Sequence, residues 1–431
     1  MRIGIWCDYG FTLEPSEGIG VFVDNLARGL VRSDPNCEIL LFAHPGQENR
    51  LAAATRAGYG RISVCSVARS PQPHRFFARH LRKVAKKIGP YSNSLGATGQ
   101  ALGSAASSLR HLGTRLESSR EKEIDSHVES CDIMLLPYVG IDRVFTIPTV
   151  VVVHDLVSYH YPVITKPSSL IDLKRMVDHT VGRATLVACM SEFIKSNDLI
   201  GTLGLPEDRV RVIPPAVPDD LNCDACRSQS WRPPGGLKQL QYILYPAAFR
   251  PYKNHGLLID ALAQCKASPL LRHLKLAFTG IRKVPLDLKN KIRKLEIDDD
   301  VAILGKVSRD ELDQLYRHAF ATVVPSLYEQ GSFPLMEALA HGCPVASAKT
   351  PSLQEAFRTM GDSMLYFDPY SPDSLLSVLE QIASHREATI CSQSVGFDVM
   401  RSFDWVDAAA RWHSLFEEAL DINNAPLRAA G

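Results

Sequence analysis

Short, continuous apolar runs alternate with helically periodic segments along almost the whole chain. In the first half, the runs Arg2–Asp8, Glu38–His44, Arg61–Val67, Ile133–Pro137, Thr149–Asp155, Thr185–Ser191 and Arg211–Pro214 predict strands. A second set follows at Tyr242–Ala247, Lys275–Gly280, Val301–Gly305, Ala321–Ser326, Val345–Ala348 and Met364–Asp368. Most are apolar throughout instead of alternating, as expected of parallel strands buried on both faces. Between them, Phe22, Leu26 and Leu30 line one helical face, and Leu258, Ala261 and Leu262 line another after Asn254. This βαβα rhythm implies an α/β protein of two doubly wound domains.

A chain of 431 residues exceeds what one hydrophobic core usually serves, so two domains are the expectation on length as well. The rhythm breaks between Pro218 and Gly236, where PDDLNCDACRSQSWRPPGG is polar and rich in turn formers. The expected division is a first domain at 1–217, a linker at 218–237 and a second domain at 238–402. Residues 403–431 form a final helix and tail. Trp405, Ala409, Trp412 and Phe416 share one face of that helix, which could pack on either domain.

Charge narrows the choice of partner. A formal net charge of +1 argues against a dedicated nucleic-acid binder. The ten cysteines are scattered, several in strand-like runs, which suits reduced thiols in a cytoplasmic protein. Cys223 and Cys226 form a CxxC with no second pair nearby to complete a zinc site. The N-terminus reads as a first strand instead of a signal peptide, and no apolar run reaches bilayer-spanning length. One segment stands apart. Residues 69–122 carry eleven Lys and Arg against Glu117 and Glu121. Within 74–88, Phe77, Leu81, Val84 and Ile88 make an apolar stripe with cations on the remaining face. That pattern fits a helix lying on an anionic membrane surface, or equally one packed on its own domain with a solvated basic face.

The strongest chemical signal is PSLYEQGSFPLMEALAHGCPV, from Pro325 to Val345. A strand ends at Pro325-Ser326, a short loop carries Glu329, Gln330, Gly331 and Ser332, and a helix begins near Phe333. Pro334 falls in the first turn, where a missing N–H does no harm, and Gly342 and Pro344 end the helix. A glycine-containing loop and a helix N-terminus at the carboxyl edge of a parallel sheet bind phosphate. Glu329 and Glu337 beside such a site ask for sugar hydroxyls as donors, which points to a nucleotide sugar.

With Glu329 and Glu337 as E-x7-E, followed by Glu337-Ala338, Gly342, Pro344 and Val345, the sequence resembles the family 4 retaining glycosyltransferases of the GT-B fold. The resemblance implies two facing Rossmann-like domains with the donor held by the second. Glu329 would then bind the donor sugar's hydroxyls and Glu337 the ribose, with Gln330, Gly331, Ser332 and Phe333 meeting sugar and diphosphate. Family members often read G-F-G-L-P where this chain reads Q-G-S-F-P. Four further places carry the likeness. Gly18 and Gly20 resemble the glycine loop facing the diphosphate. His154, closing VVHDL, resembles the active-site histidine. Ser191-Glu192-Phe193 resembles the strand-to-helix signature, and Arg250-Pro251-Tyr252-Lys253-Asn254 the diphosphate-binding turn. The usual arginine five residues before the lysine is Ala248 here, which leaves open whether Arg250 substitutes. Base recognition would run through the Gly305–Val307 turn.

The implied activity is transfer of a sugar, in the family often a hexose such as mannose, from a nucleoside-diphosphate donor to a glycan or lipid-linked glycan, as in bacterial polysaccharide synthesis. The donor is a co-substrate, so no cofactor and no metal are expected. Lys253, Arg250 and backbone N–H groups would stabilise the leaving diphosphate. The expected location is cytoplasmic, with the inner face of the cell membrane open through 74–88. Asp298-Asp299-Asp300 contains a formal D-x-D, but its place before a strand reads as a solvated turn. A sugar-nucleotide epimerase and a sugar-nucleotide-binding protein without turnover are the alternatives. A dinucleotide-linked dehydrogenase fails because a third glycine would fall at Val23.

Overall fold

The structure is a computed structural model that describes residues 1–8, 18–44, 60–67, 121–141, 143–162, 167–219, 221, 231–280, 283–329 and 331–428. Residues 69–120 of the basic segment, Gln330 and the Cys223/Cys226 pair lie outside the described residues.

Every expected strand forms, most of them shorter at the ends. The first sheet comprises β1 (Arg2–Trp6), β2 (Glu38–Ala43), β3 (Ile62–Ser66), β4 (Ile133–Leu136), β5 (Thr149–Val152), β6 (Leu186–Cys189) and β7 (Val210–Val212). The second comprises β8 (Tyr242–Pro246), β9 (Lys275–Thr279), β10 (Val301–Gly305), β11 (Ala321–Val324), β12 (Val345–Ala348) and β13 (Leu365–Phe367). All pairings are parallel, in the orders β3-β2-β1-β4-β5-β6-β7 and β10-β9-β8-β11-β12-β13. Strand order reverses at β1/β4 in the first sheet and at β8/β11 in the second. Loops leaving the carboxyl ends of neighbouring strands diverge at such a point and open a crevice for ligand.

Each sheet buries both faces, which explains the continuous apolar runs. The second domain has one continuous core around β8–β13. The first domain's core splits across its sheet, with Phe22, Leu26 and Leu30 of the helix Gly18–Ser33 on one side. Val151, Val153, Val187 and Ile194 lie on the other.

The final helix, Trp405–Arg428, settles on the first domain although it follows the second in sequence. Trp405 and Trp412 meet the Phe22 ring edge-on at 5.9 and 5.8 Å. Gly29 makes this approach possible. A Cβ there would stand 2.3 Å from the Trp405 carbonyl oxygen. Arg211 and Glu418 add an ion pair between β7 and the helix. The described residues therefore pass between domains twice, once between Asp219, whose N–H donates to Asn25 Oδ1 of the first domain, and Leu221, and again just before Asp404. At the first crossing, Leu221 and Leu237 are buried in the second domain's core, and Trp231 stacks on His318 at 5.3 Å.

Candidate active site

The crevice at β8/β11 is built from two loops stapled together by one phenol. Tyr245, on β8, donates to the Lys253 carbonyl at 3.1 Å and accepts from the Ser326 hydroxyl at 3.0 Å. The Leu327 N–H adds a bond to the Tyr252 carbonyl at 2.8 Å. Pro251–Lys253 forms a tight 3₁₀ turn closed by Asn254, whose left-handed φ of 53° reverses the chain into the next helix. The Asn254 amide donates to Pro369 O at 2.8 Å, which fixes that turn.

This scaffold brings Lys253 Nζ to 2.9 Å from Glu329 Oε1. The other carboxylate oxygen, Glu329 Oε2, is buried and has no hydrogen-bond partner among the described residues. Ser332 Oγ is in the same condition at the start of the helix Phe333–Ala340. Unmet buried polar groups cost about 1–3 kcal/mol each, so two on one loop point to a ligand that supplies their hydrogen-bond partners. Gly331, Ser332 and Phe333 stand at the start of that helix, where backbone N–H groups have no acceptor within the helix. Burial works to lower the Lys253 ammonium's pKa, but the Glu329 carboxylate outweighs it, and the net direction is up.

Glu337 lies on that helix in a separate setting. Its Oε1 accepts from Arg309 Nη1 at 2.5 Å and its Oε2 from the Tyr316 hydroxyl at 2.7 Å. Both donors come from the helix Arg309–His318, which a Ser308/Glu311 capping box starts. Each carboxylate oxygen keeps a second lone pair, so two further donors can be received. Burial first, and Glu337 second, push the Tyr316 phenol well up, so it stays a donor.

The first domain contributes the opposite wall. His154 follows β5, packs edge-on against Phe22 at 5.3 Å and bonds through Nε2 to Pro137 O at 2.9 Å. A carbonyl only accepts, so Nε2 carries the proton. Burial pushes this imidazole down to about 4, which leaves it neutral at pH 7 with Nδ1 unprotonated and free to accept a hydrogen bond. Asp155 has its carboxyl pushed up, first by burial, with Lys253 opposing and Glu329 adding to the shift. It therefore senses both charges of the second domain. Gly18 opens its helix against the Phe333 ring, which would lie 3.6 Å from an added Cβ. Two sequence-assigned donor positions thus face each other across the domains.

The buried His255 is also pushed down to about 4 by burial. Both imidazoles take up protons more readily unfolded, so their contribution is present above pH 6.5 and is lost as pH falls through the folded values. Melting temperature is expected to begin falling between pH 6.5 and 5, before most carboxylates protonate, with a total loss on the order of a few kcal/mol by pH 4. A flat thermal profile over that interval would contradict these two assignments.

The remaining sequence-assigned residues divide. Phe333 is the first helical residue, half-buried, and Val307 packs against the second core beyond Gly305. Gly20 is buried in the first turn of its helix. Arg250 is exposed, held in extended backbone before the 3₁₀ turn, while Lys253 makes the pair with Glu329. Asp298–Asp300 forms a short turn, with Asp300 paired to Lys266 at 2.7 Å. Sequence reasoning passed over Arg309, Tyr316, Tyr328 and Asp198. None carries a local signal, because each acts on a residue far away in the chain.

Residues 228–389 match the family model described as Glycosyl transferases group 1. The chain is 25% identical over 234 residues to a D-inositol 3-phosphate glycosyltransferase of Corynebacterium glutamicum, covering 53% of this chain and 56% of that protein. It is 23% identical over 260 residues to an MMP alpha-(1->4)-mannosyltransferase of Mycolicibacterium hassiacum, covering 60% and 59%. The chain thus spans a little over half the length of these curated relatives. Among solved structures, Anabaena HepE in complex with UDP and glucose superposes with a TM-score of 0.62 at 16% identity, covering 97% of this chain and all of that one. That likeness establishes the fold as GT-B, two facing Rossmann-like domains.

Proposed function

We propose that this chain, whose residues 228–389 match the family model described as Glycosyl transferases group 1, transfers a sugar from a nucleoside-diphosphate donor to a glycan or lipid-linked glycan, with retention at the anomeric carbon. The observation that carries the reading is Glu329, one oxygen paired with Lys253 and the other buried without a donor, at the switch point of the second sheet. A donor sugar's hydroxyls satisfy the orphan oxygen, and the ammonium lies beside the carboxylate where the diphosphate would sit. Glu337, held open by Arg309 and Tyr316, receives the ribose diol.

As the bond between the anomeric carbon and the diphosphate oxygen breaks, charge grows on the leaving group. Lys253, with Arg250 at the rim and the loop N–H groups, stabilises it. The acceptor oxygen bonds the same face of the sugar, and its proton passes to the departing diphosphate. Neutral His154 supplies a polar contact near the reacting carbon, since an imidazole titrating at about 4 cannot act as a cation at pH 7. Hexose donors are the first to try, mannosyl donors among them, because a relative's name specifies mannosyl transfer.

The test is turnover with UDP-, GDP- and ADP-sugars, followed by NMR of the product's anomeric proton. Retained configuration is expected, and turnover should continue in excess EDTA because protein cations balance the diphosphate. An inverted centre, an epimerised donor with no transfer, or activity restored only by added magnesium or manganese would each refute the corresponding part.

We further propose a peripheral membrane position, resting on the charge pattern of 69–122 alone. No described helix is long and apolar enough to cross a membrane. Each cation near an anionic surface contributes on the order of 1 kcal/mol, and salt screens it. Co-sedimentation with anionic vesicles should therefore appear at low salt and fade as salt rises. Indifference to such vesicles would shift the acceptor to a soluble glycan.

A further inference from the structure

The residue before Glu329 does not belong to its own domain's core. Tyr328 is 7% exposed, and its ring is buried in the first domain, against His160 at 4.9 Å, Tyr161 at 6.3 Å and Phe193 at 6.5 Å. Its hydroxyl donates a short hydrogen bond to Asp198 Oδ2 and accepts one from the Leu156 N–H at 3.1 Å. Asp198 is completely buried, yet fully engaged. Oδ2 also receives the Leu156 N–H at 3.2 Å, while Oδ1 receives the Asn197 amide at 2.7 Å and lies 2.8 Å from His160 Nε2.

Asp198 sits in a π-helical segment, Ile194–Ile200, a wide-turned geometry that recurs at functional places. The start of the same segment is held from the second domain as well. Glu355 accepts the N–H groups of Glu192 at 2.6 Å and Phe193 at 2.9 Å. A third cross-domain contact sets the Tyr161 ring against that of Tyr252, tilted by 46° at 5.7 Å.

Two chains of contact therefore meet at one carboxylate. Leu156 belongs to the strand end that carries His154 and Asp155, and Tyr328 is covalently next to Glu329. We propose that Tyr328 and Asp198 form an interdomain clasp that sets Glu329 and Lys253 in register with His154, making both of them positioning residues for the transfer. This rests on the reading of Glu329 as a donor-sugar residue. The physical basis is that an aromatic ring seated in the opposite core and a bond to a buried carboxylate both form only when the domains meet. The donor loop thus acquires its working position on closure. The nucleotide-holding groups, Arg309, Tyr316 and Glu337, all lie within the second domain and do not depend on the clasp.

The experiment compares the unmodified chain with Tyr328→Phe, Asp198→Asn, the double variant and Glu355→Gln. Small-angle scattering of the nucleotide-free proteins should show a larger radius of gyration in the first three and a smaller increase in Glu355→Gln. UDP and GDP affinities by calorimetry should stay within about twofold, while turnover falls by about tenfold or more. The double variant should be no worse than Asp198→Asn alone, because the Tyr328 hydroxyl acts through Asp198. Unchanged scattering in every variant, with only the melting temperature lowered, would reduce Tyr328 to core packing and overturn the clasp. Loss of diphosphate affinity in parallel with turnover would also overturn it. Absence of turnover in the unmodified chain with every donor would sink the transferase reading instead, and the scattering comparison would still decide the clasp.

Discussion

Replacing Lys253 by methionine lowers turnover by about 10²–10³-fold, the usual effect of deleting a preorganised donor aimed at developing negative charge. Methionine keeps most of the side chain's length and apolar stem, so the loss reports the ammonium more than the packing. Stability also falls, because Glu329 Oε1 loses its partner at 2.9 Å while Oε2 already has none among the described residues. The intact pair has its own pH window. Burial alone would lower the ammonium's pKa, but Glu329 raises it overall above 10.5. Its stabilisation is therefore complete below that value and is lost only as pH rises through the raised one. Turnover should accordingly show no inflection from Lys253 between pH 6 and 9. Measured turnover of the methionine variant within about threefold of the unmodified chain would remove Lys253 from the chemistry.

The apolar runs located every strand because parallel strands buried on both faces have no polar side to interrupt them. Their pairing order came from the βαβα rhythm only as far as a doubly wound class. The switch points at β1/β4 and β8/β11 were visible only once the strands were ordered. The final helix shows the limit of pattern. Its stripe of Trp405, Trp412 and Phe416 demanded a partner, but nothing in the spacing named Phe22 or the gap left by Gly29.

The candidate site divides along the same line. Glu329 and Glu337 were legible because a loop and a helix N-terminus separate them at a fixed interval. Whether Arg250 takes the place of the family's usual arginine was open from the sequence, because it lies closer to Lys253 along the chain. The 3₁₀ turn between them leaves Arg250 exposed while Lys253 pairs inward. Arg309, Tyr316, Asp198 and Tyr328 were invisible for a different reason. A buried aspartate inside a helix and a tyrosine beside a glutamate look like ordinary surface composition until the opposite domain is in place. Their meaning is in partners dozens of residues away.

Glu337→Ala and Glu329→Ala are expected to fail in different ways, and the difference tests which part of the donor each carboxylate meets. Glu337 is tied by Arg309 and Tyr316 inside the second domain, with lone pairs left for a diol. Hydrogen bonds to a charged acceptor contribute about 1.5–3 kcal/mol each, and tenfold in affinity corresponds to about 1.4 kcal/mol. Removing the carboxylate should therefore weaken free nucleoside diphosphate by about 10–100-fold, and the sugar donor by a similar factor. Arg309 then turns to Asp313, already 3.0 Å away, so no buried cation is stranded. On the proposed reading, the unmet oxygen of Glu329 receives the donor sugar and not the diphosphate. Its alanine variant should bind free UDP or GDP within about twofold of the unmodified chain yet lose about 10²-fold in turnover, because an interaction made most fully as the sugar departs affects rate and not diphosphate affinity. Calorimetric titration of both variants with the diphosphate, alongside turnover with the sugar donor, separates the roles. Equal losses of diphosphate affinity would place both carboxylates on the nucleotide and leave the sugar's hydroxyls without an assigned acceptor.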